Sequence, residues 1–196
     1  MRPYGQIILF NNLHFDIFSI GQRFFTEQPY THTAFIVPPA LGVEWYYGAE
    51  QLAVIRPISY FENDTKKLYQ MYLPKVWTDE QILNALRKLY TKFGAEKYGY
   101  WQILWFMFRW LMSKWPFKKD VRKWHNFFPN HVICSELGWW YLWFLYEEQP
   151  DLTELKDELN QWSSDTIHSG DIHTIINNLP HLFRMTEERW EGKRAA

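Results

Sequence analysis

The chain has 196 residues, 47% of them hydrophobic, and a formal net charge of -1. That is enough for one domain with a substantial core, and the scattered lysines and arginines lack the basic footprint of a nucleic-acid binder. A single cysteine excludes an internal disulfide and a paired-cysteine zinc or redox motif, and it fits a reducing compartment or carriage in a particle.

The opening run, Met1-Arg2-Pro3-Tyr4-Gly5-Gln6, carries no small-residue cleavage pattern, so no secretory signal is expected. Gln6 to Phe10 and Thr33 to Val37 are short β-branched and aromatic runs bounded by turn residues, and they read as strands. Val43 to Tyr47 and Leu52 to Ile58 follow as a hairpin over Gly48-Ala49-Glu50-Gln51, and Leu68 to Leu73 completes a strand-rich part. After Thr78, an N-cap with Asp79 and Glu80 in the first turn, Ile82, Leu86 and Leu89 recur at helical spacing until Gly94. Further helices are predicted over Tyr100 to Trp115, Cys134 to Glu147 and Leu152 to Trp162. Ser169-Gly170-Asp171-Ile172 reads as a turn into a short strand or helix. Strands first and helices later predict an α+β fold, with helices packed on a mainly antiparallel sheet. One domain is expected over residues 1–196, with its core at about 5–183 and a frayed tail from Glu187 to Ala196.

The aromatic content, 20% of the chain, concentrates between Tyr98 and Phe144. The Tyr100 to Trp115 stretch is apolar nearly all round. It either covers the sheet or meets a membrane surface or partner protein, with Lys114, Lys118, Lys119, Arg122 and Lys123 as a basic fringe. It is shorter than the roughly 20 apolar residues of a membrane-spanning helix, and no transmembrane segment is predicted.

Cys134 is the candidate nucleophile. An apolar approach, Val132-Ile133, leads into Cys134-Ser135-Glu136 and then a strongly apolar helical pattern, so the thiol stands at a helix start, where the macrodipole favours thiolate. A nucleophilic thiol needs a base, and the base needs a third group to fix its tautomer. Of seven histidines, His32 is anchored at a strand mouth and ranks first. His131 is the rival. Glu44, a carboxylate inside an apolar strand, is the candidate orienter, with Glu50 in the hairpin loop as the alternative acid. His125, His131 and Cys134 lack the spacing of a zinc site, so neither metal nor cofactor is implied.

The order Gly5-Gln6-Ile7-Ile8-Leu9-Phe10, Tyr30-Thr31-His32-Thr33-Ala34-Phe35-Ile36-Val37, Val43-Glu44-Trp45, Lys97-Tyr98-Gly99-Tyr100 and Cys134-Ser135-Glu136-Leu137 resembles the circularly permuted NlpC-like cysteine hydrolases. The likeness is to their YiiX/YebB-like branch, relatives of lecithin retinol acyltransferase. The resemblance implies a papain-like fold and a triad of Cys134, His32 and Glu44, with Trp45, Tyr98 and Ser135 as substrate-binding residues. Gln6 and Gly99 stand where the family often has Asp, and Trp45 replaces a small residue. The implied activity is a thiol hydrolase working through an acyl-enzyme on a peptide amide, such as that of bacterial cell wall, or on a related ester. Two other readings stand beside it: a lipid-acyl hydrolase, acyltransferase or lipid binder, and a non-catalytic component of a phage particle.

Overall fold

The chain's first apolar run becomes an interior strand. In the computed structural model, residues 1–12, 30–49, 53–63, 67–94, 108, 112, 133–164 and 167–189 are described. They form one antiparallel sheet of β1 (Ile7–Asn12), β2 (His32–Ala40), β3 (Val43–Ala49), β4 (Ala53–Pro57), β5 (Lys67–Pro74) and β6 (Phe183–Arg189), in the order β4-β3-β2-β1-β5-β6. Ile7 on β1 faces Phe35 on β2 and Tyr72 on β5. Ile7, Ile8 and Leu9 are all 0% exposed, the signature of a strand covered on both faces.

The two-residue period sorts the core into two layers. Ile7 and Leu9 join Phe35, Tyr47 and Tyr72 beneath the long helices. Ile8 and Phe10 join Ala34, Ile36, Tyr46, Tyr69 and Met71 on the opposite face, where α1 (Ile58–Glu62) contributes Ile58. The β2–β3 turn is Leu41-Gly42, with φ of 53° and 74°, between the paired Ala40 and Val43. Two positive φ values match the right-handed twist of the flanking strands. Just before it, the register shifts between Val37 and Ala40, where Pro38 and Pro39 have no N–H to give the ladder.

The predicted helix after Thr78 is α2 (Asp79–Phe93), whose start is closed by a reciprocal capping box between Thr78 and Gln81. Ile82, Ala85, Leu86, Leu89 and Phe93 bury one stripe against the sheet and against α3 (Cys134–Glu148). Burying each such large side chain contributes about 1.5–3 kcal/mol. Two further helices follow among the described residues, α4 (Thr153–Leu159) and α5 (Ser169–Asn178). α4 is shorter than the sequence pattern suggested, and the run at Ser169 becomes a helix rather than a strand. The Trp77 indole donates to the Leu145 carbonyl at 2.7 Å, which pins the far end of α3.

α3 lies unusually close to β2. A Cβ added at Gly138 would meet Ile172 of α5 at 3.0 Å and the Thr33 methyl of β2 at 3.2 Å. The missing side chain lets the first turns of α3 settle between the two elements, which fixes the depth of Cys134.

The chain end corrects one expectation. Residues 187–189, assigned to a frayed tail, belong to β6, because Glu187 takes the Arg2 guanidinium at 2.9 Å and the Tyr69 hydroxyl at 2.5 Å. Residues 190–196 lie outside the described residues. Of the aromatic stretch from Tyr100 to Trp115, only Phe108 and Met112 are described, both helical. Among the described residues no helix is long and apolar enough to cross a membrane.

Candidate active site

β2 begins where α3 begins, and that coincidence builds the site. Cys134 is the first residue of α3, after the extended Ile133. Among the described residues no side chain caps this helix, so its first-turn N–H groups leave a positive end beside the sulfur. His32 is the first residue of β2. Its Nδ1 lies 3.5 Å from Cys134 Sγ, and the Thr31 carbonyl lies at the same 3.5 Å.

His32 is held from behind. It pairs across the sheet with Phe10, whose ring stacks on the imidazole at 5.0 Å between centroids and 21° between planes. The ladder is irregular at this point. Thr31 also donates its N–H to the Phe10 carbonyl, at 3.0 Å, so two residues stand against one. This bulge-like doubling at a strand end is a device that re-aims a side chain. It accounts for a histidine whose strand neighbours Ala34 and Ile36 face away from the helices reaching a sulfur on the helical side.

Cys134 is 2% exposed. Burial pushes the thiol pKa up, but the charge of His32 and its hydrogen bond, with the Thr33 backbone N–H and the Ser169 hydroxyl, outweigh burial and bring it below its ordinary value. The arrangement favours a thiolate beside an imidazolium. Ser169 is tied in by the Thr33 hydroxyl, which donates to it at 3.0 Å. Ser169 itself is placed by the start of α5, where His168 Nδ1 accepts the N–H groups of Gly170 and Asp171 at 3.0 and 3.3 Å. Burial lowers the His168 pKa to about 4, so it stays neutral and acts as a cap.

The proposed triad is only partly assembled. Glu44 does not reach His32: its carboxylate accepts the Arg2 backbone N–H at 2.6 Å and the Arg2 guanidinium at 2.9 Å, 3.7 Å from the N-terminal amine. The physical reason is register. Trp45 pairs with Val37, five residues along β2 from His32, which at about 3.3 Å per residue is roughly 16 Å away. Glu44 and Trp45 therefore sit at the far end of the hairpin. The Trp45 indole donates to the Ala40 carbonyl beside the turn. Glu50 lies outside the described residues, as do Tyr98, His125 and His131. Ser135 is 4% exposed and directly follows the nucleophile in the first turn.

Sequence reasoning missed Ser169, Thr33 and the Phe10 platform. Phe10 carried no chemical signal, whereas the helix start at His168-Ser169-Gly170-Asp171 was open to detection as cap and first turn. Among the described residues no group of three His, Cys, Asp or Glu is arranged to hold a metal ion. No protein-family model matches this sequence, and no curated protein matches it either.

Proposed function

We propose that this chain is a thiol hydrolase of the permuted NlpC-like, papain-like kind, acting through a thioester acyl-enzyme. The observation that carries the reading is the 3.5 Å approach of His32 Nδ1 to Cys134 Sγ at the start of a helix. Nucleophile and base on two rigid elements within hydrogen-bond reach are what covalent acyl transfer requires. Five strands ahead of the long helices, with the nucleophile opening α3, support the family assignment.

In the proposed cycle the thiolate attacks the substrate carbonyl carbon, and the first-turn N–H groups of α3 receive the developing oxyanion. Collapse breaks the bond to the leaving group, which takes the proton held on His32. Water then attacks the thioester carbonyl, gives its proton to His32, and the sulfur leaves as the thiol or thiolate. Access is the controlling requirement, because Cys134 is only 2% exposed.

The substrate we propose is a peptide amide, such as a bacterial cell-wall stem peptide. The test is incubation with peptide and ester acyl donors followed by intact-mass measurement. An adduct of the acyl mass on Cys134, absent in Cys134→Ala, supports the reading, as does loss of turbidity of purified peptidoglycan. No adduct and no turnover with any acyl donor overturns it.

A further inference from the structure

Asn11, near the end of β1, is 6% exposed, and its Oδ1 is buried with no hydrogen-bond partner among the described residues. Buried polar side chains almost always find a partner, so an orphaned carboxamide oxygen calls for an explanation. Its position supplies one. Asn11 directly follows Phe10, the residue that pairs with His32 and stacks on its ring. Strand alternation puts it on the face of Ile7 and Leu9, the same layer to which Cys134 belongs. Its neighbour on β5 is Leu68, whose side chain has no donor. A buried acceptor with no partner among the described residues thus stands at the end of the sheet where the sulfur and the imidazole meet.

A carbonyl-type acceptor is satisfied by an N–H. An amide leaving group carries one on the scissile nitrogen and an ester carries none, and sites built around such a hydrogen bond discriminate strongly against the analogue lacking it. We infer that Asn11 Oδ1 accepts the N–H of the scissile amide, holding the leaving nitrogen toward His32, which protonates it. The inference rests on the thiol-hydrolase reading above and narrows it: the substrate is an amide, and Asn11 is its specificity-determining residue. No bond is made or broken at Asn11.

The test compares an acyl p-nitroanilide with the p-nitrophenyl ester of the same acyl group, chosen without an N–H of its own, in the wild type and in Asn11→Leu. The leucine variant is expected to lose about tenfold or more in kcat/KM on the anilide, while the ester falls by no more than about twofold. Its melting temperature is expected to hold or rise, because the orphaned acceptor is gone, and its Cys134 alkylation rate to stay unchanged. Equal loss on both substrates, or loss on neither, overturns the inference. So does a lowered melting temperature with slowed alkylation, which marks a structural asparagine. A wild type that turns over the ester but not the anilide overturns the amide assignment and leaves the thiol hydrolase standing. No turnover of either, with an unreactive Cys134, overturns the reading beneath it.

Discussion

The Arg2 guanidinium reaches Glu44 on β3 and Glu187 on β6 at 2.9 Å each, clasping strands on opposite sides of the sheet. It also meets Glu62 of α1 at 2.5 Å. The N-terminal segment is thereby tied across the sheet, at the end of the hairpin remote from Cys134.

Acid should open this clasp. Burial raises the Glu44 pKa, but the Arg2 backbone N–H, guanidinium and charge lower it by more, and Arg2 lowers Glu187 likewise. A carboxylate with a depressed folded pKa stabilises fully above its unfolded value and loses that contribution as pH falls through the lower folded one. Stability should therefore decline below about pH 4, and the decline should be smaller in Glu44→Gln. Chemical denaturation across pH 2–6 checks it.

The same variant separates clasp from catalysis. Glu44→Gln should cost about 1 kcal/mol of stability at neutral pH, the scale of a partly exposed ion pair. It should leave the acyl-transfer rate within about twofold, because Glu44 does not touch His32. Glu50→Gln is the contrasting variant. If Glu50, the alternative acid of the sequence, fixes the imidazole, turnover falls by about tenfold or more with little change in stability. Steady-state kinetics and melting curves of both variants decide between the two acids.

Ser169→Ala removes a hydroxyl that the Thr33 side chain and the thiol share. The thiolate loses one of its supports, so the Cys134 titration midpoint should rise. Leaving the buried Thr33 hydroxyl without this acceptor should cost about 1 kcal/mol. A pH series of alkylation rates, with a denaturation curve, measures both.

Gly138→Ala tests the depth of the nucleophile. The added methyl meets Ile172 at 3.0 Å and Thr33 at 3.2 Å, so these side chains must give by a few tenths of an ångström or α3 must move. Overpacking of this kind costs about 1–3 kcal/mol, and it should slow Cys134 alkylation more than it lowers stability would account for. Alkylation rates measured well below the melting temperature make the comparison.

Much of the sheet was legible because period-two patterning and turn chemistry act locally: Ile7 to Phe10, the β2–β3 pair and the capped helix after Thr78 all form close to where the sequence sets them. Cys134 and His32 were legible for the same reason, each standing at the start of an element. β6 was not, since Glu187, Glu188 and Arg189 look like a solvated tail until Arg2 and β5 supply their partners. Glu44 misled because a lone carboxylate in an apolar strand signals a buried partner without saying which one. The partner was Arg2, 42 residues away in sequence and beyond any local rule. Ser169 and Asn11 share this character. Their importance comes from what the fold sets beside them.

The central claim, that His32 holds Cys134 as a thiolate, is tested most directly by the pH dependence of Cys134 alkylation by a small reagent in the wild type and in His32→Ala. The midpoint reports the thiol pKa, whereas restricted access changes only the height of the curve. The account predicts a wild-type midpoint clearly below the ordinary thiol value of about 8.5. It predicts an upward move in His32→Ala, because the burial of Cys134 is then no longer offset by the imidazolium. A wild-type midpoint at or above that ordinary value, or one that stays put when His32 is removed, would contradict it.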